Sequence, residues 1–244
     1  MILLVGSSND DILYFESILK NKKQVTILNQ YTAYTGEILN QSIMLLKDVY
    51  SSYISSLVVS YVIEKYMAIL VIALGEVQSF SPDLKVGDIC IARQTVIGDV
   101  NISDVTNLPK GQLMNLPQTF LPSTDITSSI ANVVEARTIG KAKYCTFVSH
   151  NYHPENIEQL EMVVENNKFL GIEGNVVLSS EIGGIAIASK LHDIPYAAVS
   201  VVGRQLGIKN NIENYVNVLD QYANVGQAVV SVIGEIGRTD VVKQ

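Results

Sequence analysis

Short runs of consecutive apolar residues alternate along this chain with longer stretches in which apolar positions recur every three or four residues. Those two periods predict buried strands and amphipathic helices in turn. Met1–Val5 is a continuous apolar run that stops at Gly6, as suits a central strand buried on both faces. From Asp10 to Leu19 the apolar residues are Ile12, Leu13, Phe15, Ile18 and Leu19, a helical spacing, with Asn9 in front as a candidate N-cap. Gln24–Leu28 and Ile43–Leu46 read as further strands. Val49–Met67 is rich in aromatic and β-branched residues yet keeps helical phase through Tyr50, Tyr53, Leu57 and Tyr61. Ala68–Leu74, ended by Gly75, and Ile89–Ile97, entered through Gly87-Asp88, are expected strands. Residues 101–124 hold three of the six prolines and little periodicity, which reads as a long connecting or functional loop. After it come a helix at Ile126–Glu135, a strand at Lys143–Ser149, a helix at Glu155–Asn166 and a short strand at Val176–Leu178. A helix opened by Glu181, a strand at Tyr196–Val202 and a long closing helix at Asn211–Ile236 complete the pattern.

Regular alternation of strand and helix predicts an α/β fold, a three-layer, mostly parallel mixed sheet flanked by helices, with 1–244 forming one domain. In such sheets ligands bind beyond the carboxyl ends of the strands, where Gly6, Gly75, Ser149 and Gly203 fall. Apolar residues at 48% and charged residues at 17% describe a globular protein able to bury a core. No apolar stretch approaches the roughly 18 residues of a membrane span, and the N-terminus lacks the basic start of a signal peptide. Cys90 and Cys145 each lie inside an apolar run, which reads as buried thiols in a reducing, cytoplasmic setting. A net charge of −7 with no basic cluster argues against a nucleic-acid partner. His150, His153 and Glu155 are too loosely patterned to predict a metal site, and no cofactor is expected.

Four blocks carry the candidate chemistry. The first, Val5-Gly6-Ser-Ser-Asn-Asp-Asp11, sets acids in the first turn of a helix, where they also complement its dipole. The second runs from Gly75-Glu76-Val77-Gln78-Ser79 to Pro82-Asp-Leu-Lys-Val-Gly87-Asp88-Ile. The third is Val148-Ser149-His150-Asn151-Tyr152-His153-Pro154. The fourth joins Leu178-Ser179-Ser180-Glu181 through a helix to Pro195 and the strand ending at Gly203-Arg204. In order and spacing these blocks resemble the methylthioadenosine/S-adenosylhomocysteine nucleosidases of the purine nucleoside phosphorylase superfamily. The Pro-x-Leu-Lys-Val-Gly-Asp-Ile portion is the most specific part of the likeness, and it serves the scaffold.

The resemblance implies roles for individual residues. Asp11 stands where the family's last acid helps to activate the attacking water, and Glu181 where a glutamate grips the ribose hydroxyls, with Ser180 beside it. His153 holds the place of a phenylalanine that stacks on the purine, and Pro154 that of the residue whose backbone reads its edge. Glu76, Val77 and Gln78 replace small residues that line the family's pocket. Arg204 occupies the position of the aspartate that protonates the departing base. Arginine stays charged and cannot cycle a proton, so the general-acid step has no carrier there.

Three functions follow as expectations. The chain binds a purine nucleoside or related small molecule with N-glycosidic cleavage lost or strongly altered, Arg204 being free to hold an anion. Alternatively it is an active hydrolase with a remodelled site, which requires Asp11, Glu181 and His153 to converge. Or it is a non-catalytic subunit of a hetero-oligomer. The resemblance also implies a homo-oligomer, a dimer, with Val49–Met67 and the 101–124 loop as candidate surfaces.

Overall fold

The first strand, β1 (Ile2–Gly6), is buried along its whole length and lies between two parallel neighbours. The structure, a computed structural model, describes residues 1–137, 142–152, 154, 158–159, 161–163, 165, 172, 174–205 and 212–242. After β1 come α1 (Asn9–Ile18) and three strands, β2 (Lys20–Ile27), β3 (Tyr31–Ile38) and β4 (Gln41–Leu46). Then follow α2 (Ser52–Tyr66), β5 (Leu70–Ser79), β6 (Ile89–Ile97), the short β7 (Thr119–Phe120), α3 (Thr124–Arg137) and β8 (Lys143–Ser149). The described chain closes with β9 (Val176–Ser179), a helix we label α4 (Ile182–Leu191), β10 (Tyr196–Gln205) and a last helix, α5 (Ile212–Val242).

The strands form one mixed sheet. β1 pairs in parallel with β4 and β5, β5 with β10, and β8 with both β6 and β9. Antiparallel pairs join β10 to β6 and β9 to β5. Because β5 touches both β10 and β9, strands β5, β10, β6, β8 and β9 close on themselves, while β1, β4, β3 and β2 extend outward as an open sheet. Closure brings the ends of β5, β9 and β10 side by side, and this positions the site.

Alternation along the strands divides the core. Leu3 and Val5 of β1, with Val71 and Ala73 of β5, face α2 and α4, packing on Val58, Val59, Val62, Ile182 and Ile185. Ile2, Leu4, Leu70, Ile72 and Leu74 face the other way, onto Ile12 and Phe15 of α1, Ile130 of α3 and Val225, Val229 and Ile233 of α5. The result is the expected three-layer arrangement.

The expected strands at Ile89–Ile97 and Lys143–Ser149 have those bounds, and Tyr196–Val202 extends to Gln205. Strand β3 is unannounced by the sequence. Its segment YTAYTGEI buries only Ala33 and Ile38, so it carries no apolar run to read. The N-cap of α1 is Ser8 rather than Asn9. The expected helix at Glu155–Asn166 falls largely outside the described residues. Cys90 and Cys145 are buried free thiols, and contact between them, with burial, pushes the Cys90 thiol up.

Candidate functional site

The chain turns sharply where β1 ends, and the first turn of α1 folds back on itself. The Ser8 backbone N–H donates to Asp11 Oδ2 at 2.7 Å, and the Ser7 hydroxyl donates to the same oxygen at 2.9 Å. Asp11 therefore does the capping work that first-turn acids do. It is also buried, 4% exposed, and its other oxygen, Oδ1, has no hydrogen-bond partner among the described residues. Burial pushes the Asp11 carboxyl up, against the opposing pull of Ser8, of the Tyr222 hydroxyl reaching in from α5, and of Ser7.

Across from Asp11, β9 gives way to α4 through Ser180 and Glu181. Glu181 takes the N-cap position but has helical dihedrals, φ −90° and ψ −25°, and its side chain caps nothing. The carboxylate is turned into the wall of a cavity instead, with the Ser180 hydroxyl donating to Oε2 at 3.0 Å. Burial pushes this carboxyl up to about 7, although the hydroxyls of Ser179 and Ser180 favour its charged form, and the negative charge of Asp11 adds to the rise. The Glu181 backbone is held by α2, whose Ser55 hydroxyl donates to its carbonyl at 2.7 Å.

Gly75 separates the two carboxyls. A Cβ at this position would lie 3.0 Å from Ser7 Oγ and 3.5 Å from both Asp11 Oδ2 and Glu181 Oε1. The two oxygens are therefore no farther apart than twice the latter distance. Gly75 has φ +155°, and a side chain here would fill the gap that the carboxyls frame.

The rest of the wall comes from the closed part of the sheet. Ser7, Ser8, Tyr50, Glu76, Val77, Gln78, Asn151, Ser179, Ser180, Glu181, Arg204 and Tyr222 all line one cavity of about 590 Å³. That volume is within the range of small-molecule sites, about 300–1,000 Å³. Asn151 ties its rim together. It accepts from the Ser52 N–H at 2.9 Å at the start of α2 and donates to Asp99 Oδ2 at 2.7 Å in the loop after β6.

Arg204 does not stand alone. Its Nε lies 3.5 Å from Oε1 of Glu76, which projects from the neighbouring strand. Glu76 reaches there by crossing Gly203, where any Cβ would overlap its Cδ. Burial pushes the Glu76 carboxyl up, Arg204 pulls it down, and Asp11 pushes it up again. Both partners are substantially exposed, so the pair adds little to stability. Its effect is to give Arg204 a carboxyl neighbour before any ligand arrives.

Most of the sequence-predicted site residues are thus brought together. Ser180, Glu181, Glu76, Val77 and Arg204 line the cavity, and Asp11 sits just behind Ser7. Pro154 is buried away from the cavity lining. His153, expected to stack on a base, lies outside the described residues. His150 is buried and turned toward Tyr152, its Nδ1 2.8 Å from the Tyr152 carbonyl. Sequence reasoning missed Tyr222, Tyr50 and Asn151. A tyrosine on a long amphipathic helix looks like core, and no local signal marks Tyr222 as the neighbour of Asp11.

No family model matches the chain. Among curated relatives, the methylthioadenosine/S-adenosylhomocysteine nucleosidase of Tolumonas auensis is 20% identical over 222 residues, covering 88% of this chain and 91% of the relative. Among solved structures, the nucleosidase of the same name from Neisseria meningitidis, in complex with methylthio-immucillin-A, superposes with a TM-score of 0.84 at 18% identity, covering 96% and 98% of the two chains. A futalosine hydrolase mutant from Helicobacter pylori superposes with a TM-score of 0.80 at 16% identity, over 96% and 98%. The sheet and its helical layers are those of the nucleosidase fold, and the chain's relatives by sequence are methylthioadenosine/S-adenosylhomocysteine nucleosidases.

Proposed function

We propose that the chain binds a purine nucleoside or a closely related small molecule, with the sugar against Glu181 and the base toward Glu76 and Arg204. N-glycosidic cleavage by an acid at position 204 is lost, so any cleavage runs through other groups. One observation carries the reading: Glu181 is a buried carboxyl aimed into the cavity, facing the bare backbone of Gly75. A carboxylate removed from water is a strong acceptor for paired hydroxyls, and leaving it unpaired is costly.

The charge of the lining narrows the chemistry. Glu76, Glu181 and Asp10 line the cavity, with Asp11 behind it, and Arg204 is the one basic residue among the described lining residues. That field favours a neutral polyhydroxyl ligand or a sugar developing positive charge, and it repels phosphate. Water is accordingly the nucleophile this pocket would admit. Relatives and structural neighbours named for methylthioadenosine, S-adenosylhomocysteine and futalosine make such nucleosides the first ligands to try. The whole chain, 1–244, working as one cytoplasmic domain is part of the proposal, as is a homodimer formed through the exposed Tyr53 and Leu57 of α2 and Val105 and Met114 of the long loop. Among the described residues no helix is long and apolar enough to cross a membrane.

A thermal-shift screen of nucleosides, free bases and inorganic phosphate, run on wild type and Glu181→Ala, tests the reading. Nucleosides should stabilise the wild type and not the variant, and phosphate should stabilise neither. Stabilisation by phosphate alone, or nucleoside shifts that persist in Glu181→Ala, would overturn it.

A further inference from the structure

Arg204 is chemically inert as a proton donor, yet it lies against a carboxyl that is not. Glu76 follows Gly75 on β5, and its side chain crosses Gly203 to end beside Arg204 at the mouth of β10. It lines the same cavity as Glu181, whose carboxyl lies by Gly75, while that of Glu76 lies by Gly203. If an acid stood at position 204 as well, two carboxyls would repel at this distance. An arginine there attracts and orients the one that arrives from β5. The two substitutions make sense together and not separately.

From this juxtaposition we propose that Glu76 donates the proton to the departing base, with Arg204 as its positioning residue. The inference rests on the nucleoside reading above. As the bond between the anomeric carbon and the base nitrogen breaks, its electron pair goes to the base, and the Glu76 carboxyl gives its proton to a ring nitrogen. Positive charge left on the sugar faces Glu181 and Asp11. A water oxygen bonds to the anomeric carbon, and the proton it loses passes through the Ser7 hydroxyl, which already donates to Asp11 Oδ2 at 2.9 Å. Nucleoside and water become free base and free sugar. Glu76, partly exposed, then regains a proton from solvent while Asp11 returns one.

The surroundings of Glu76 suit this role. The charged and titratable groups that share the cavity with it or lie just behind it are Arg204 from β10, Asp10 and Asp11 from α1, Glu181 ahead of α4, Tyr50 ahead of α2 and Tyr222 from α5. Burial, with Asp11, raises the carboxyl toward the working range of a general acid, and Arg204 limits the rise.

The test is single-turnover release of free base by the full-length chain from 5′-methylthioadenosine, adenosine and inosine, with binding measured in parallel by calorimetry. Glu76→Gln should slow release by about 10²–10⁴, the usual contribution of a general acid, while changing affinity by less than about threefold. With 4-nitrophenyl riboside, whose leaving group needs no proton, the loss should shrink to within about tenfold. Arg204→Gln should move the alkaline limb of the pH–rate profile to higher pH, because the acid must be protonated and its downward pull is gone. Tight binding without base release, or Glu76→Gln releasing base at the wild-type rate, would overturn the proposal while leaving the nucleoside reading intact. Failure of every nucleoside to bind would remove that reading itself.

Discussion

Replacing Glu181 by glutamine should make the protein more stable above neutral pH and worse at its task. The carboxyl rises from 4.5 to about 7 on folding, chiefly through burial. Between those values the folded chain holds a proton that the unfolded chain has lost, so stability falls as pH rises through this window and levels off above it. At about 1.4 kcal/mol per pH unit, the interval amounts to about 3 kcal/mol at pH 8. Glutamine never ionises and escapes that cost. Against the gain, its amide NH₂ must sit near the donors Ser179 and Ser180, a mismatch of about 1 kcal/mol. The net expectation is a stabilisation of about 2 kcal/mol at pH 8 and a slight loss at pH 4, where both carboxyl states are neutral. Urea unfolding of the two proteins at pH 4, 6 and 8 measures the difference. A difference that is flat across this range, or a variant less stable at pH 8, would refute the claim that the site holds a carboxyl against its preferred state. Nucleoside affinity should fall in the same variant, since a charged acceptor is gone.

Other substitutions probe the scaffold around this carboxyl. Gly184→Ala would drive a Cβ into the Ser52 carbonyl and the Ser56 N–H of α2, and should cost about 1–3 kcal/mol in denaturant unfolding. Gly203→Ala meets only the flexible Glu76 side chain. Its unfolding should stay within about 1 kcal/mol of wild type while base release drops as in Glu76→Gln. Tyr222→Phe removes a hydroxyl that favours the charged form of Asp11, so an NMR titration should find that carboxyl higher still.

The chain announced its scaffold more openly than its chemistry. β1 and β10 were legible because largely apolar runs that stop at Gly6 and Gly203 leave few alternatives. β3 was not, because a strand between β2 and β4 near the sheet edge buries little and needs no apolar run. At the site, Glu181 and Asp11 could be placed from their own blocks, since each sits at the end of a strand the sequence had already marked. The significance of Arg204 could not. Read along the chain, the residue is a lost acid, with no carboxyl nearby to replace it. Only the parallel pairing of β10 with β5, which sets Arg204 opposite Gln78, brings Glu76 across Gly203 to meet it. Pairing between strands more than a hundred residues apart is a tertiary fact, and local pattern carries no trace of it. The tyrosine of α5 was opaque for the same reason, whereas residues 101–118, read as loop, carry no helix or strand.

In the reading proposed above, Glu181 reads sugar hydroxyls in this cavity. Calorimetric titration of adenosine and of 2′,3′-dideoxyadenosine tests it most directly. The dideoxy compound should bind the wild type at least about tenfold more weakly, as loss of a hydrogen bond to a charged acceptor requires. That gap should collapse in Glu181→Ala. Equal binding of the two ligands by the wild type would contradict that role for Glu181.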